Sequence, residues 1–393
     1  MDALIKLEEI AVHMDLEPAE ETGLATGPSA KVAPCGQVVD GRKKHEELGV
    51  FRAQIGGGKT VPLLKTLLTS ACERNCNYCP FRAGRNYRRS TFSPEEMART
   101  FMDMHRAGLV DGLFLSSGII GGGLRTQDKL LATAEILRRQ YQFRGYLHLK
   151  VMPGAERAQV EHAMSLVDRL SVNLEAPTDR RLSELAPLKQ FEQELLRPLR
   201  WIEDIRRTTP SHHFWQGRAP STTTQFVVGG GEESDVELLL TTAYLSTNMR
   251  LRRAYFSAFR PVPDTPLENR AAEDPLRQHR LYQASFLLRD YGFDVEDLHF
   301  GSGGRLPLDQ DPKLSWAEAN LYDRPVELNR ASREELLRVP GIGPKSAASI
   351  VNARRLGSLR HLQDLQKIGV ATKRLEPFVL LDGYRPDRQL RLF

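Results

Sequence analysis

Ala71-Cys72-Glu73-Arg74-Asn75-Cys76-Asn77-Tyr78-Cys79-Pro80 carries three cysteines spaced C-x3-C-x2-C, and the chain has only one other, Cys35. A tetrahedral zinc site closes on four ligands. To close one here, Cys35, His45 or His105 would have to join the three. An iron–sulfur cluster held by three thiolates instead leaves one iron open. An open iron is a place for chemistry, so the loop is read first as a reactive centre.

The sequence around the loop sets the fold. An apolar run, Leu63–Thr69, leads into it. Beyond it, Ser93-Pro94-Glu95-Glu96 combines a cap residue, proline at the first helical position and glutamate three residues after the cap. That signature predicts a helix to about Arg106. Strands are predicted at Gly112–Ser117, Leu147–Met152, Leu170–Leu174, Thr222–Val228 and Leu251–Phe256. Helices are predicted near 127–141, 156–167, 179–208, 233–245 and 274–291. Alternating strands and helices imply an α/β fold with a parallel sheet. Six βα units with the cysteine loop after the first strand favour a partial (β/α)6 TIM-type barrel, and the loop then falls at the end where such barrels carry active sites. Residues 1–61, polar and broken by Gly and Pro, read as an irregular N-terminal extension, and 62–300 as the core. Residues 301–325, rich in Gly, Pro and Asp, read as a linker, and 326–393 as a small all-α domain.

The totals exclude several classes. A chain of 393 residues with 40% hydrophobic content can bury a substantial core and is not a disordered protein. It holds no apolar run of transmembrane length, so no membrane role is expected. Its N-terminus lacks the basic-then-apolar pattern of a secretion signal, and three bunched cysteines make no disulfide framework. A cytoplasmic location is the expectation. The net charge of +5 is uneven: Val326–Phe393 carries 13 Lys+Arg and 7 Asp+Glu, a net of +6 that leaves −1 for everything before it. A basic patch so localised suggests a polyanionic partner. Gly56-Gly-Gly-Lys-Thr60 is not a P-loop, because the required first glycine is Ala53 and Val61-Pro62 stops the helix that must follow.

Cys72-x3-Cys76-x-Tyr78-Cys79, with its aromatic before the third cysteine, resembles the signature of the radical S-adenosylmethionine (SAM) superfamily. Further pieces match in order along 62–300. Ser116-Ser117-Gly118, leading into Gly121–Gly123, stands where the family has its glycine-rich turn for the SAM amino group. The usual Gly-Gly-Glu is missing, so backbone carbonyls or Ser117 would make that contact. Asn173-Leu174-Glu175 corresponds to polar contacts to the ribose or carboxylate. Val227-Val-Gly229-Gly-Gly-Glu232 resembles the fifth-strand motif beside the adenine, and Ala258–Pro266 the Pro-rich turn after the sixth strand. The resemblance implies a 4Fe-4S cluster on Cys72, Cys76 and Cys79, and S-adenosyl-L-methionine on its open iron with Tyr78 near the adenine. It also implies an external donor of flavodoxin or ferredoxin type. In that family a 5′-deoxyadenosyl radical removes a substrate hydrogen. No second cysteine cluster exists to donate sulfur, and no cysteine follows Cys79 to serve as a late hydrogen donor.

Val326–Ile350 resembles a helix-hairpin-helix domain. Gly341-Ile342-Gly343 would make the hairpin, and the N–H groups opening the next helix, with Lys345 and Ser346, would take a DNA phosphate. Leu365–Arg374 resembles a weaker second copy. The last residues, Gln389-Leu390-Arg391-Leu392-Phe393, resemble a bacterial sliding-clamp-binding peptide, in which Gln389, Leu390, Leu392 and Phe393 make the contacts. The whole arrangement resembles a prokaryotic family of radical SAM proteins tied to DNA modification or repair, which associates with a uracil-DNA-glycosylase-like partner. The leading expectation is therefore a radical SAM enzyme acting on a damaged or modified nucleotide of DNA. An RNA-modifying enzyme, or a non-catalytic DNA-bound redox module, are the alternatives. Arg82, Arg85, Arg88 and Arg89 suit either substrate phosphates or surface ion pairs with residues such as Glu95 and Glu96.

Overall fold

The computed structural model describes residues 2–14, 48–55 and 59–386. Cys35, His45, residues 56–58 of the glycine stretch and the clamp-like Gln389–Phe393 lie outside the described residues. The chain divides into two compact units: Met1–Glu233 with Leu245–Glu273, and Ser234–Tyr244 with Asp274–Phe393.

The first unit is built on a seven-stranded half-barrel sheet with strands in sequence order. They are β1 (Val50–Ile55), β2 (Lys59–Leu67), β3 (Gly112–Ser116), β4 (Tyr146–Lys150), β5 (Arg169–Ser171), β6 (Ser221–Val228) and β7 (Arg253–Ala258). β1 runs antiparallel to β2, and β2 through β7 are parallel. Helices α2 (Pro94–Arg106), α3 (Gly122–Glu135), α4 (Arg157–Met164), α5 (Asp179–Leu185) and α6 (Arg197–Thr208) fill the connections. α7 (Asp235–Met249), most of it in the second unit, and α8 (Pro275–Asp290), wholly in it, follow β6 and β7 in sequence. Every residue of β3 is buried, as expected for a parallel strand covered on both faces. Alternation then separates the two faces. Leu113, Leu115, Leu147 and Leu149 point one way, while Phe114, His148 and Lys150 share the other, with Phe114 opposite His148. α2 starts as its signature predicts: Ser93 Oγ accepts from Glu96 N–H at 3.1 Å.

The N-terminal stretch is not wholly irregular. α1 (Ala3–Ala11) is capped by Asp2, buries Leu7 and Ile10, and lies in the same unit. Its apolar residues recur at helical spacing inside a polar composition, which masks them. β1 and the start of β2 also lie before residue 62, and the carbonyl of Pro62 accepts from Asp111 N–H at 2.8 Å.

In the second unit, α10 (Arg333–Arg338) and α11 (Pro344–Ala353) flank the predicted hairpin, and α12 (Leu362–Lys367) opens the second one. A two-residue parallel pairing of Val326–Glu327 with Val379–Leu380 closes the domain. The stretch 301–325, read as a linker, contains α9 (Pro312–Asn320), whose Ala317 is fully buried in the hairpin domain's core with Leu336, Ile342 and Ile350. The prolines and aspartates taken for loop signals include a helix start: Asp311 caps α9 and Pro312 is its first residue.

Candidate functional site

The cysteine loop is held from several sides. Glu73 N–H donates to the Ile119 carbonyl at 2.8 Å, and Asn77 N–H to the Leu185 carbonyl at 2.7 Å. Gly118 N–H reaches the Thr69 carbonyl at 2.7 Å, drawing the end of β3 against the loop. The approach leaves no room for a side chain: a Cβ on Gly118 would stand 2.1 Å from the Ala71 carbonyl oxygen.

Arg82, Arg85 and Arg89 bond back to the loop, while Arg88 stays exposed. Arg89 donates to the carbonyls of Ser70 (2.8 Å), Phe81 (2.7 Å) and Arg82 (2.7 Å), with its guanidinium 3.8 Å from the Tyr87 ring centre. Arg82 donates to the Asn75 carbonyl at 3.2 Å and Arg85 to the Pro80 carbonyl. Arg88 pairs with Glu9 of α1 at 3.0 Å. The strip therefore fastens the loop and α1. Glu96 pairs with Lys6 at 2.6 Å.

Cys72, Cys76 and Cys79 are unbridged thiols. Backbone N–H groups of Arg74 and Ile119 donate to Cys72 Sγ, and that of Phe81 to Cys79 Sγ, each at 3.4 Å. Burial pushes the Cys76 and Cys79 thiols up from their ordinary range. Three thiolates gathered here require cationic compensation, and N–H donors aimed at sulfur suit an anionic metal–thiolate centre.

The three cysteines border a cavity that opens toward solvent. Tyr78, Ser117, Gly118, Asn173 and Glu175 line it with the cysteines. Val227, Gly229 and Glu232 are not among its lining residues. Val227 is buried on β6. Gly229 has φ +85°, and a Cβ there would strike Glu273. Glu232 is an exposed side chain paired with Arg270 at 3.4 Å. Gly121 and Gly122 also serve elsewhere, their N–H groups donating to the Glu73 carboxylate at 2.9 and 3.1 Å.

Three charged lining residues escaped the sequence reading: Arg74, Lys150 and Lys189. Arg74 is held by Glu194 and the Leu188 carbonyl, both at 2.6 Å. Lys189 Nζ donates to Glu175 Oε1 at 2.9 Å, and both side chains are buried. Burial works to raise the Glu175 carboxyl, but Lys189 and then Lys150 hold it below the ordinary range. Burial likewise opposes the Lys189 charge, and Glu175 reverses that, so its ammonium is kept. Glu175 itself has φ +64°, a conformation a non-glycine residue rarely adopts. Its Oε2 is buried and makes no hydrogen bond within 3.5 Å among the described residues, while the Tyr78 hydroxyl stands close enough to help keep the carboxylate charged. Such an atom at a cavity wall is a natural acceptor for a ligand hydroxyl or ammonium. Three thiols with N–H donors aimed at two of their sulfurs have the donor chemistry of a cluster loop, although among the described residues no three such side chains stand as a ready metal-ion group.

In the second unit, Gly341 has φ +85°, and Gly343 begins α11 without a side-chain cap. Lys345 is exposed, and Ser346 is half-buried beside it. The second hairpin turns at Gly369, φ +77°, and leads into a short 3-10 turn, Glu376–Phe378, in place of a full helix.

Residues 66–240 match the family model described as the radical SAM superfamily, and residues 322–377 that described as the helix-hairpin-helix motif. No curated protein sequence matches the chain. Among solved structures, HydG, a maturase of the FeFe-hydrogenase, is similar at 11% identity, 58% coverage of this chain, 49% of its own and a TM-score of 0.45. Methylornithine synthase is similar at 14% identity, with coverages of 70% and 68% and a TM-score of 0.45. A radical SAM methyltransferase from Sphaerobacter thermophilus is similar at 15% identity, with coverages of 61% and 75% and a TM-score of 0.43. The chain spans about half the length of the hydrogenase maturase it matches, and these likenesses transfer no activity.

Proposed function

We propose that this chain, which carries a radical SAM domain and a C-terminal helix-hairpin-helix motif, is a radical SAM enzyme acting on DNA, where it modifies or repairs a nucleotide. The observation that carries the reading is three thiols and a buried, charged carboxylate, Glu175, around one cavity at the C-terminal ends of β2 to β5. Cys72, Cys76 and Cys79 would hold a 4Fe-4S cluster. Bound there, such a cluster supplies the electron for reductive cleavage of S-adenosyl-L-methionine. The chain's own residues bind and orient. Glu175 Oε2 would accept from a ribose hydroxyl or the amino group, and Asn173 and Ser117 add polar contacts. Lys189 keeps Glu175 ionised, so it acts only as an acceptor. Burial of these groups keeps water from the reacting atoms.

The hairpin domain supports DNA as substrate by its motif and its +6 charge. Its N–H groups and Lys345 would grip phosphate without reading sequence. The reading includes an external flavodoxin- or ferredoxin-type donor, a uracil-DNA-glycosylase-like partner and a sliding clamp engaging the C-terminal residues. The test is anaerobic reconstitution with dithionite and SAM. Wild-type protein is expected to release 5′-deoxyadenosine and Cys76→Ala to release none. No SAM cleavage by wild type would leave a non-catalytic redox module as the better account. Deuterium transfer from labelled duplex DNA, single strands or tRNA then identifies the substrate, and transfer from tRNA alone would replace DNA with RNA.

A further inference from the structure

Lys313 lies in the first turn of α9, and its side chain is 8% exposed. Its Nζ donates to the Ile342 carbonyl at 2.6 Å and stands 4.6 Å from the Tyr291 ring centre. Ile342 is the residue between the two hairpin glycines. Two residues before Lys313, Asp311 accepts from Leu314 N–H at 3.0 Å, while its other oxygen pairs with Arg374 of the second hairpin. Arg374 Cβ in turn lies 3.3 Å from where a Cβ on Gly341 would stand. One helix start therefore ties down both hairpins.

An ammonium is a costly group to bury when a leucine or methionine would fill the same space. The cost is visible: desolvation pulls Lys313 down to about 7, against the favourable charge of Asp311 and with Arg374 adding repulsion. Packing alone does not account for a lysine here. Its specific contribution is a donor fixed on the one hairpin carbonyl that precedes the N-cap of α11. Gly343 brings no side-chain cap, so the direction of the first free N–H groups of α11 depends on how the hairpin backbone is held.

We infer that Lys313 and Asp311 form a latch that sets the hairpin backbone for phosphate binding, which makes Lys313 a positioning residue of the nucleic-acid surface. The inference rests on the nucleic-acid reading of this domain and deepens it. It extends the functional domain upstream of the motif match at residue 322 to residue 311. Lys313 touches no phosphate. It aims the groups that do.

The test uses the full chain with two measurements. Hydrogen exchange of the segment 339–350 reports the latch without any ligand. Anisotropy of a short fluorescein-labelled DNA duplex over a salt series reports binding. Lys313→Met is expected to speed exchange at 342–347 and raise Kd roughly tenfold, the worth of one charge-assisted hydrogen bond. Its salt slope should match wild type, because no phosphate contact is lost. Lys345→Ala, by contrast, should lower that slope by about one. Lys313→Arg, which retains a donor of similar reach, should recover most of the affinity. Should Lys313→Met fail to fold, Asp311→Asn keeps the α9 cap and loses the Arg374 pairing, with a Kd increase of about threefold expected. Unchanged exchange in the variants overturns the latch whatever DNA does. Faster exchange with unchanged Kd overturns the positioning role. Faster exchange in a chain whose wild type binds no duplex overturns the nucleic-acid reading and leaves the latch standing.

Discussion

Replacing Gly118 by alanine isolates the tightest approach at the cysteine loop. The added Cβ would lie 2.1 Å from the Ala71 carbonyl oxygen, against 3.4 Å for an ordinary contact, a shortfall of about 1.3 Å. Neither side yields easily. The obstacle is backbone, and Gly118 N–H is tied to the Thr69 carbonyl at 2.7 Å. Ala71 immediately precedes Cys72, the first of the proposed cluster ligands, so the displacement passes to a residue whose Sγ accepts from Ile119 N–H beside Gly118. Overpacking of this kind costs about 1–3 kcal/mol. A misplacement of roughly 1 Å at reacting groups lowers turnover by about two orders of magnitude. The expected result is a folded Gly118→Ala protein that binds less iron and sulfide on reconstitution and yields roughly 100-fold less 5′-deoxyadenosine. Gly357→Ala, where an added Cβ meets nothing within 4 Å, is the control. Full iron content and wild-type SAM cleavage in Gly118→Ala would refute the claim that this contact sets the loop.

Lys189→Met leaves the Glu175 carboxylate buried without its 2.9 Å partner, so urea unfolding at neutral pH should show a loss of about 3 kcal/mol. Adding Glu175→Gln should restore part of it, and an unaltered midpoint in the single variant would count against the pair. Lys313, held at about 7 in the folded chain against 10.5 unfolded, gives a pH signature. Between those values unfolding takes up a proton, so the group's contribution to stability rises with pH, by up to about 1.4 kcal/mol per pH unit. Subtracting the Lys313→Met unfolding profile from wild type should show that rise above pH 7, and a flat difference would contradict it. Removal of Gln389–Phe393 should abolish capture by immobilised bacterial sliding clamp, and undiminished capture would retire that partner.

The features legible in the sequence were local ones. Ser93-Pro94-Glu95-Glu96 announces its helix because the cap hydroxyl and the N–H it accepts from lie three residues apart. The period-2 alternation of Tyr146-Leu147-His148-Leu149-Lys150 announces a strand. The cysteine spacing likewise names its loop. What escaped depends on the chain returning to itself. Lys189 reaches Glu175 only because the segment after α5 folds back over the cavity, and nothing in its neighbours marks it. Arg89 looked available for phosphate, yet its partners are carbonyls from both ends of the loop. α9 was missed for a different reason: Asp311-Pro312 is both a loop signal and a helix-start signal, and only the burial of Ala317 decides between them.

Arg89 has a consequence for how the centre is made and remade. Ordering a loop of some twenty residues around a metal would ordinarily charge most of its conformational entropy to metal affinity. Here the carbonyls of Ser70, Phe81 and Arg82 already converge on one guanidinium braced by Tyr87. The polypeptide thus supplies the loop's shape from its own bonds. On the proposed reading, loss of the cluster would leave these bonds in place, and the rate of reconstitution should follow the supply of iron and sulfide.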